Sequence, residues 1–151
     1  MTSTNFDEVY LKTADLVKTN PANLLFQVCE LLKNEVYHYD WVGFYILDLK
    51  TNELILGPFV GKPTPHTHIA LGKGICGQVA VSGKTMVVQD VTKVENYISC
   101  GLDVQSEIVV PVLKNGNFLA ELDIDSHSPA PFNSEDSIFL GKVCELLVDC
   151  F

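Results

Sequence analysis

The sequence predicts an α+β fold: an antiparallel sheet with N- and C-terminal helices packed on one face. Three observations predict it. Apolar residues recur at helical spacing near both ends, they alternate with period two in the middle, and the alternating segments are joined by short turns. Strands joined by short turns pair antiparallel, and helices at both ends can pack on one face of such a sheet.

In chain order, residues 6–17 form a weak helix. Asn20-Pro21 reads as an N-cap followed by proline at the first helical position, and Leu24, Leu25, Val28, Leu31 and Leu32 then follow at helical spacing. Residues 41–48 alternate as a strand, with Val42, Phe44 and Ile46 on one face and Trp41, Gly43, Tyr45 and Leu47 on the other. Lys50-Thr51-Asn52 is a turn, 53–59 a second strand, and a long loop follows through Gly61, Pro63 and Pro65. Residues 74–82 can form a short helix and 85–89 are rich in β-branched residues. Strands at 106–113 and 117–125 flank Asn115-Gly116, a strong hairpin signal. The last helix starts near Asn133 or Ser134, with Ile138, Phe139, Val143, Leu146 and Leu147 on its apolar side.

No repeat, low-complexity tract or linker interrupts the pattern, so 1–151 reads as a single domain, large enough to bury roughly 70% of its extended-chain surface without disulfides. The net charge of −9 is the opposite of a phosphate-backbone binder and argues against nucleic acid and anionic membranes. The start lacks a basic region and an apolar stretch, and no apolar run has the length of a membrane span. The five cysteines, Cys29, Cys76, Cys100, Cys144 and Cys150, are odd in number and scattered. They fit a reducing, cytoplasmic setting better than a disulfide framework.

The last hairpin has two possible registers. A two-residue loop at Asn115-Gly116 places Ile108 opposite Asp123 and mixes acids with aliphatics on both faces. A three-residue loop pairs Leu113 with Asn117 and collects Ile108, Val110, Val112, Phe118, Ala120, Leu122 and Ile124 on one face. The second is preferred. It places Glu107 opposite Asp123, with Asp125 beside them, on the face away from the helices. Such a face is ordinarily solvated. Three mutually repelling acids nevertheless suggest a site for a cationic group, a proton donor, or both.

Several stretches together resemble a known family. Trp41-Val42-Gly43-Phe44-Tyr45, Leu56-Gly57-Pro58-Phe59 with Gly61, Gly72-Lys73-Gly74-Ile75-Cys76-Gly77, Ser106-Glu107-Ile108-Val109-Val110-Pro111 and Leu122-Asp123-Ile124-Asp125-Ser126 are similar, in the same order and spacing, to the free methionine-(R)-sulfoxide reductases. These are stand-alone GAF domains. The resemblance implies a GAF-type sheet with a substrate pocket on the face opposite the helices. Cys100 is implied as nucleophile, Cys76 as a second site cysteine, Glu107, Asp123 and Asp125 as the acids that hold the substrate and polarise its sulfoxide, and Trp41 and Tyr45 as pocket walls. It further implies thioredoxin or a similar dithiol as reductant, no cofactor or metal, and a homodimer. The family commonly has another cysteine in the loop before the glycine-rich stretch. This chain has none in Pro63-Thr64-Pro65-His66-Thr67-His68, and the resolving role implied by the family passes to Cys76. Gly101 also stands where the family tends to have aspartate, and Val104 where it has serine.

The implied chemistry is thiol-dependent reduction of free methionine-(R)-sulfoxide. Cys100 attacks sulfur, oxygen leaves as water or hydroxide, and the resulting sulfenic acid condenses with Cys76 to a disulfide. Glu107 is the expected proton donor, and Asp123 and Asp125 the expected partners of the substrate ammonium. The same carboxylates oppose a low thiol pKa until that ammonium arrives. Other readings stand beside this one. Cysteines are often small core residues, as expected for Cys29 and Cys144. His66, His68, Cys76 and Cys100 are a loosely spaced zinc set. Gly72-x-Gly74-x-x-Gly77 fits a dinucleotide fingerprint by letter but lacks a βαβ context; its glycines read as a tight turn with amides able to hold a carboxylate. The whole domain can also be a non-catalytic GAF sensor of a small ligand or an interaction module.

Overall fold

A computed structural model describes residues 3–97 and 103–151. Helix α1 (Phe6–Thr19) starts at Asn5, whose side chain accepts the Glu8 amide at 3.2 Å. It ends at Asn20 in the left-handed region, φ 49°. Asn20 therefore closes the first helix instead of opening the second, a correction to the sequence reading. Asparagine tolerates this conformation, and Pro21 cannot continue a helix. Helix α2 (Leu24–Glu35) begins after Asn23.

The strands are β1 (Trp41–Asp48), β2 (Glu53–Val60), β3 (His68–Ala70), β4 (Met86–Val88), β5 (Ser106–Lys114) and β6 (Asn117–Ser126). Among the described residues they form one six-stranded antiparallel sheet of order β3-β2-β1-β6-β5-β4. Strand β3 lies in what reads as loop in the sequence; with three residues on the sheet edge it is too short to show a period. Between β1 and β2 the register shifts after Gly43, opposite Gly57 and Pro58. A bulge is where a sheet tolerates proline.

Helix α4 (Ser134–Leu146) opens with a capping box between Asn133 and Asp136. Helices α2 and α4 pack on one face of the sheet, while α1 packs on both of them. The core between these layers joins Val42, Phe44, Ile108, Val110, Val112, Ala120, Leu122 and Ile124 to Val28, Leu32, Leu140 and Val143. Burying each large aliphatic side chain there contributes about 1.5–3 kcal/mol. Cys29 and Cys144 belong to this core, as their positions on the helices suggest. Ile138 does not: it is 62% exposed, and Leu140 and Cys144 take the inward positions. The opposite face of the sheet carries helix α3 (Gly74–Ser82) and a second core of Trp41, Tyr45, Leu54, Ile69, Ile75, Cys76, Val79 and Val109. No helix among the described residues is long and apolar enough to cross a membrane.

The β5–β6 hairpin corrects the expected register. Asn115 and Gly116 both have positive φ, 54° and 80°, and Lys114 pairs with Asn117, so the turn is a two-residue one. A bulge between Val112 and Leu113 then shifts the pairing, so that Glu107 faces Asp125 and Val109 faces Asp123. The aliphatic residues keep their common face because the bulge adds the residue that restores their parity. Phe118, on the turn side of the bulge, packs instead with the second core.

Candidate active site

The site is a grid on the face that α3 covers. Three rows cross β1, β6 and β5: Trp41, Asp125 and Glu107; Gly43, Asp123 and Val109; Tyr45, Glu121 and Pro111. Directly opposed side chains start about 4.5–5.5 Å apart, and diagonal neighbours about 7–8 Å. Glu107 and Asp123 are diagonal neighbours whose carboxylates converge. One oxygen of each and Cys76 Sγ lie within 4.8 Å of one another. Glu107 is 3% exposed, and Glu121, Asp123 and Asp125 are fully buried. The expectation of three clustered acids is met in position, but the cluster has a fourth member, Glu121. Period two from Asp123 places Glu121 on the same face, a signal in the sequence that the hairpin reading left unused.

The aromatic wall depends on glycines. The Trp41 ring lies across Gly43, where an added Cβ would meet Trp41 Cη2 at 2.5 Å and Phe59 Cβ at 2.7 Å. On its other side is Gly61, where a Cβ would meet Trp41 Cδ1 at 2.5 Å. Trp41 stacks on Phe59 (5.4 Å between centroids) and neighbours Tyr45 (6.5 Å). The Trp41 indole donates to the Lys62 carbonyl at 3.0 Å, and the Tyr45 hydroxyl to the His66 carbonyl at 2.8 Å. These two bonds fasten the loop after β2 to β1, beside the carboxylates.

Cys76 stands in the first turn of α3, above the acids. Its neighbours Gly72 and Gly74 have positive φ, 85° and 62°, which makes the tight turn expected of them. The Gly74 amide is taken by Asn96 Oδ1 at 3.1 Å, and Asn96 donates to the Gly72 carbonyl at 2.8 Å, so that amide serves the turn itself. A helix N-terminus favours a thiolate. Here burial, followed by the charges of Asp123, Glu121 and Glu107, wins and pushes the Cys76 thiol well above its ordinary value. Burial likewise raises the carboxyl groups of Glu121 and Asp123. The oxygens of these two acids meet no donor at hydrogen-bonding distance and angle; Cys76 and Glu107 are close enough to influence their titration without completing such a bond. A cavity of about 10 Å³ lies between Tyr45, Lys73, Cys76, Glu107 and Asp123, room for no more than about one water. Such a site favours a cation or a group that accepts a proton. Cys100 lies outside the described residues. His66 and His68 are not in the Cys76 cluster.

An antiparallel sheet of this order, with helices on one side and a lone helix and a loop on the other, defines the fold class. A GAF domain model matches residues 20–148, and the chain belongs to the GAF domain family. Within it, the chain is a member of the free methionine-R-sulfoxide reductases, and so of an oxidoreductase group. It is 37% identical over 131 residues to the "Free methionine-R-sulfoxide reductase" of Saccharomyces cerevisiae, covering 85% of this chain and 71% of that protein. It is 41% identical over 113 residues to GAF domain-containing protein A of Dictyostelium discoideum, covering 75% of this chain and 70% of that protein. The free methionine-R-sulfoxide reductase of Neisseria meningitidis, solved in complex with its substrate, superposes with a TM-score of 0.89 at 34% identity, over 95% of this chain and 86% of that one.

Proposed function

We propose that this chain reduces free methionine-(R)-sulfoxide to methionine, with Cys100 as nucleophile and Cys76 as resolving thiol. The observation that carries the reading is the convergence of the Cys76 thiol with Glu107 and Asp123 on a buried face walled by Trp41 and Tyr45. The buried carboxyl groups of Asp123 and Glu121, whose oxygens meet no donor, suit a zwitterionic substrate whose ammonium supplies positive charge. Asp123 and Asp125 hold that ammonium, and Trp41 and Tyr45 border the thioether carbons.

A sulfoxide becomes electrophilic when its oxygen is protonated. Burial raises the pKa of Asp123 and so favours its protonated form. When the ammonium binds, ionised Asp123 is stabilised and the proton passes through neighbouring Glu107 to the sulfoxide oxygen. The net first step converts sulfoxide and the Cys100 thiol into sulfide and a sulfenic acid. The Cys76 thiol then condenses with the sulfenic acid, forming the Cys76–Cys100 disulfide and releasing water. Thioredoxin, or another dithiol, returns both thiols and becomes a disulfide itself. No cofactor is required. A coupled assay following NADPH oxidation through thioredoxin reductase and thioredoxin tests the reading. Turnover is expected on the free (R)-epimer and not on the (S)-epimer or a peptide-bound sulfoxide. Absence of turnover by the reduced protein would leave the ligand-sensor reading in its place.

A further inference from the structure

The same cluster has the composition of a site for a thiophilic divalent metal ion. We propose that the reduced chain binds one Zn²⁺ through Cys76 Sγ and carboxylate oxygens of Glu107 and Asp123, and that the ion blocks the site. The blocking, though not the binding, rests on the reductase reading above.

Geometry carries the argument first. Tetrahedral zinc holds sulfur at about 2.3 Å and oxygen at about 2.0–2.2 Å, which sets ligand atoms about 3.3–3.8 Å apart. The three donors already lie within 4.8 Å of one another, so side-chain rotations of about 1 Å close the set around an ion. They come from three elements, α3, β5 and β6, whose backbones the sheet and its covering helix hold in place. A cavity of about 10 Å³ lies among them, ample for a bare ion.

The unmet demand of Asp123 is the second, independent observation. Asp123 is fully buried, both its oxygens meet no donor, and it lines that cavity with Cys76 and Glu107. Glu121, equally buried and without a donor, adds a further carboxyl group beside Cys76. No lysine or histidine among the described residues forms an ion pair with Asp123 or Glu121. A divalent ion offsets the mutual repulsion of these groups, and its binding releases whatever protons the ligands carry. The thiol selects the metal: a thiolate ligand favours zinc or cobalt over magnesium or calcium, which take oxygen alone.

The test uses the reduced full chain without substrate, titrated with Zn²⁺ against a chromophoric chelator and with Co²⁺ as an optical probe. One equivalent of zinc is expected, unaffected by excess Mg²⁺, with a thiolate-to-cobalt charge-transfer band in the near ultraviolet. Cys76→Ser should abolish the band, Asp123→Asn should weaken zinc by more than about tenfold, and Cys150→Ser should change neither. Circular dichroism establishes that each variant is folded, and Cys76→Ala replaces the serine variant if that one is not. Absence of stoichiometric zinc overturns the proposal, as does a band that survives in the Cys76 variant and vanishes in Cys100→Ser. Zinc bound without loss of sulfoxide turnover overturns the blocking. Zinc binding by a chain with no turnover at all removes the reductase reading and leaves the metal site standing.

Discussion

Gly43→Ala is the sharpest perturbation of the site that leaves its chemistry untouched. An alanine Cβ at this position would lie 2.5 Å from Trp41 Cη2, 2.8 Å from Trp41 Cζ3 and 2.7 Å from Phe59 Cβ. The ring could rotate away, but Phe59 Cβ is attached to the paired strand, and Gly43 is directly opposite Phe59 in the ladder. The Gly61 backbone lies close to the ring at Trp41 Cδ1, a second point at which a shifted ring would meet the chain. Overpacking of this kind costs about 1–3 kcal/mol. At about 2–4 °C per kcal/mol for a domain of this size, Tm should fall by roughly 2–12 °C. Trp41 is the single tryptophan, so its emission reports the displacement directly. Its bond to the Lys62 carbonyl should break, moving the emission to longer wavelength, and KM for the sulfoxide should rise more than kcat falls. An unchanged Tm together with unchanged emission would refute the account of Trp41 as a ring clamped between two glycines.

Other outcomes follow from the buried charges. The pKa of Asp123 lies above its ordinary value of 3.8, so between the two values the native state holds a proton the unfolded chain has lost, and stability falls as pH rises through that interval. Asp123→Asn should therefore raise Tm at neutral pH and flatten its pH dependence while abolishing turnover; a lower Tm at pH 7 would contradict the assignment. Glu121→Gln should move Tm in the same direction, for the same reason. On the helical side, Asp136 accepts from the Tyr39 hydroxyl at 2.7 Å and the Asn133 amide at 2.9 Å, and lies 2.8 Å from His38 Nε2. Burial alone would raise Asp136, but the His38 ring, the Asn133 amide and the Tyr39 hydroxyl outweigh it and lower its pKa. Its stabilisation is present above the unfolded value of 3.8 and is lost as pH falls through the lowered native one. Asp136→Ala should cost at least about 2 kcal/mol in urea unfolding at pH 7 by leaving buried donors unmet. Finally, a thiol reagent should label exposed Cys150 at once and buried Cys76, Cys29 and Cys144 only slowly, with Cys76 labelling accelerating as pH rises; mass-mapped labelling over time checks the order.

Much of this architecture was legible because period two survives local irregularity. The alternation of Ile108, Val110 and Val112 with Glu107 and Val109 assigns faces whatever the loop length, so the acids were found on the right face from an incorrect register. The bulge itself left no mark in the sequence, because its extra residue sits among aliphatics that alternate correctly on either side. Asn20 misled because asparagine serves both to open a helix and to end one in the left-handed region, and a following proline suits either role. Gly43 was legible as space for its aromatic neighbours, but Gly61 as the second side of the Trp41 slot depends on a loop path that no local pattern encodes. Glu121 was available to the same reasoning as Asp123, two residues away on the same strand. The role proposed for Cys100 rests on the family resemblance, because no period or register pattern singles out one of the five cysteines.

The central claim is that this chain transfers two electrons from a pair of its own thiols to free methionine-(R)-sulfoxide. A single-turnover reaction tests it most directly: the fully reduced protein, freed of reductant, is mixed with excess (R)-epimer, and methionine and the protein's intact mass are measured together. One methionine per chain, with loss of two hydrogens and a peptide map joining Cys76 to Cys100, is the predicted result. Methionine formed at the same yield by Cys100→Ser, or no methionine from the wild-type chain, would contradict it.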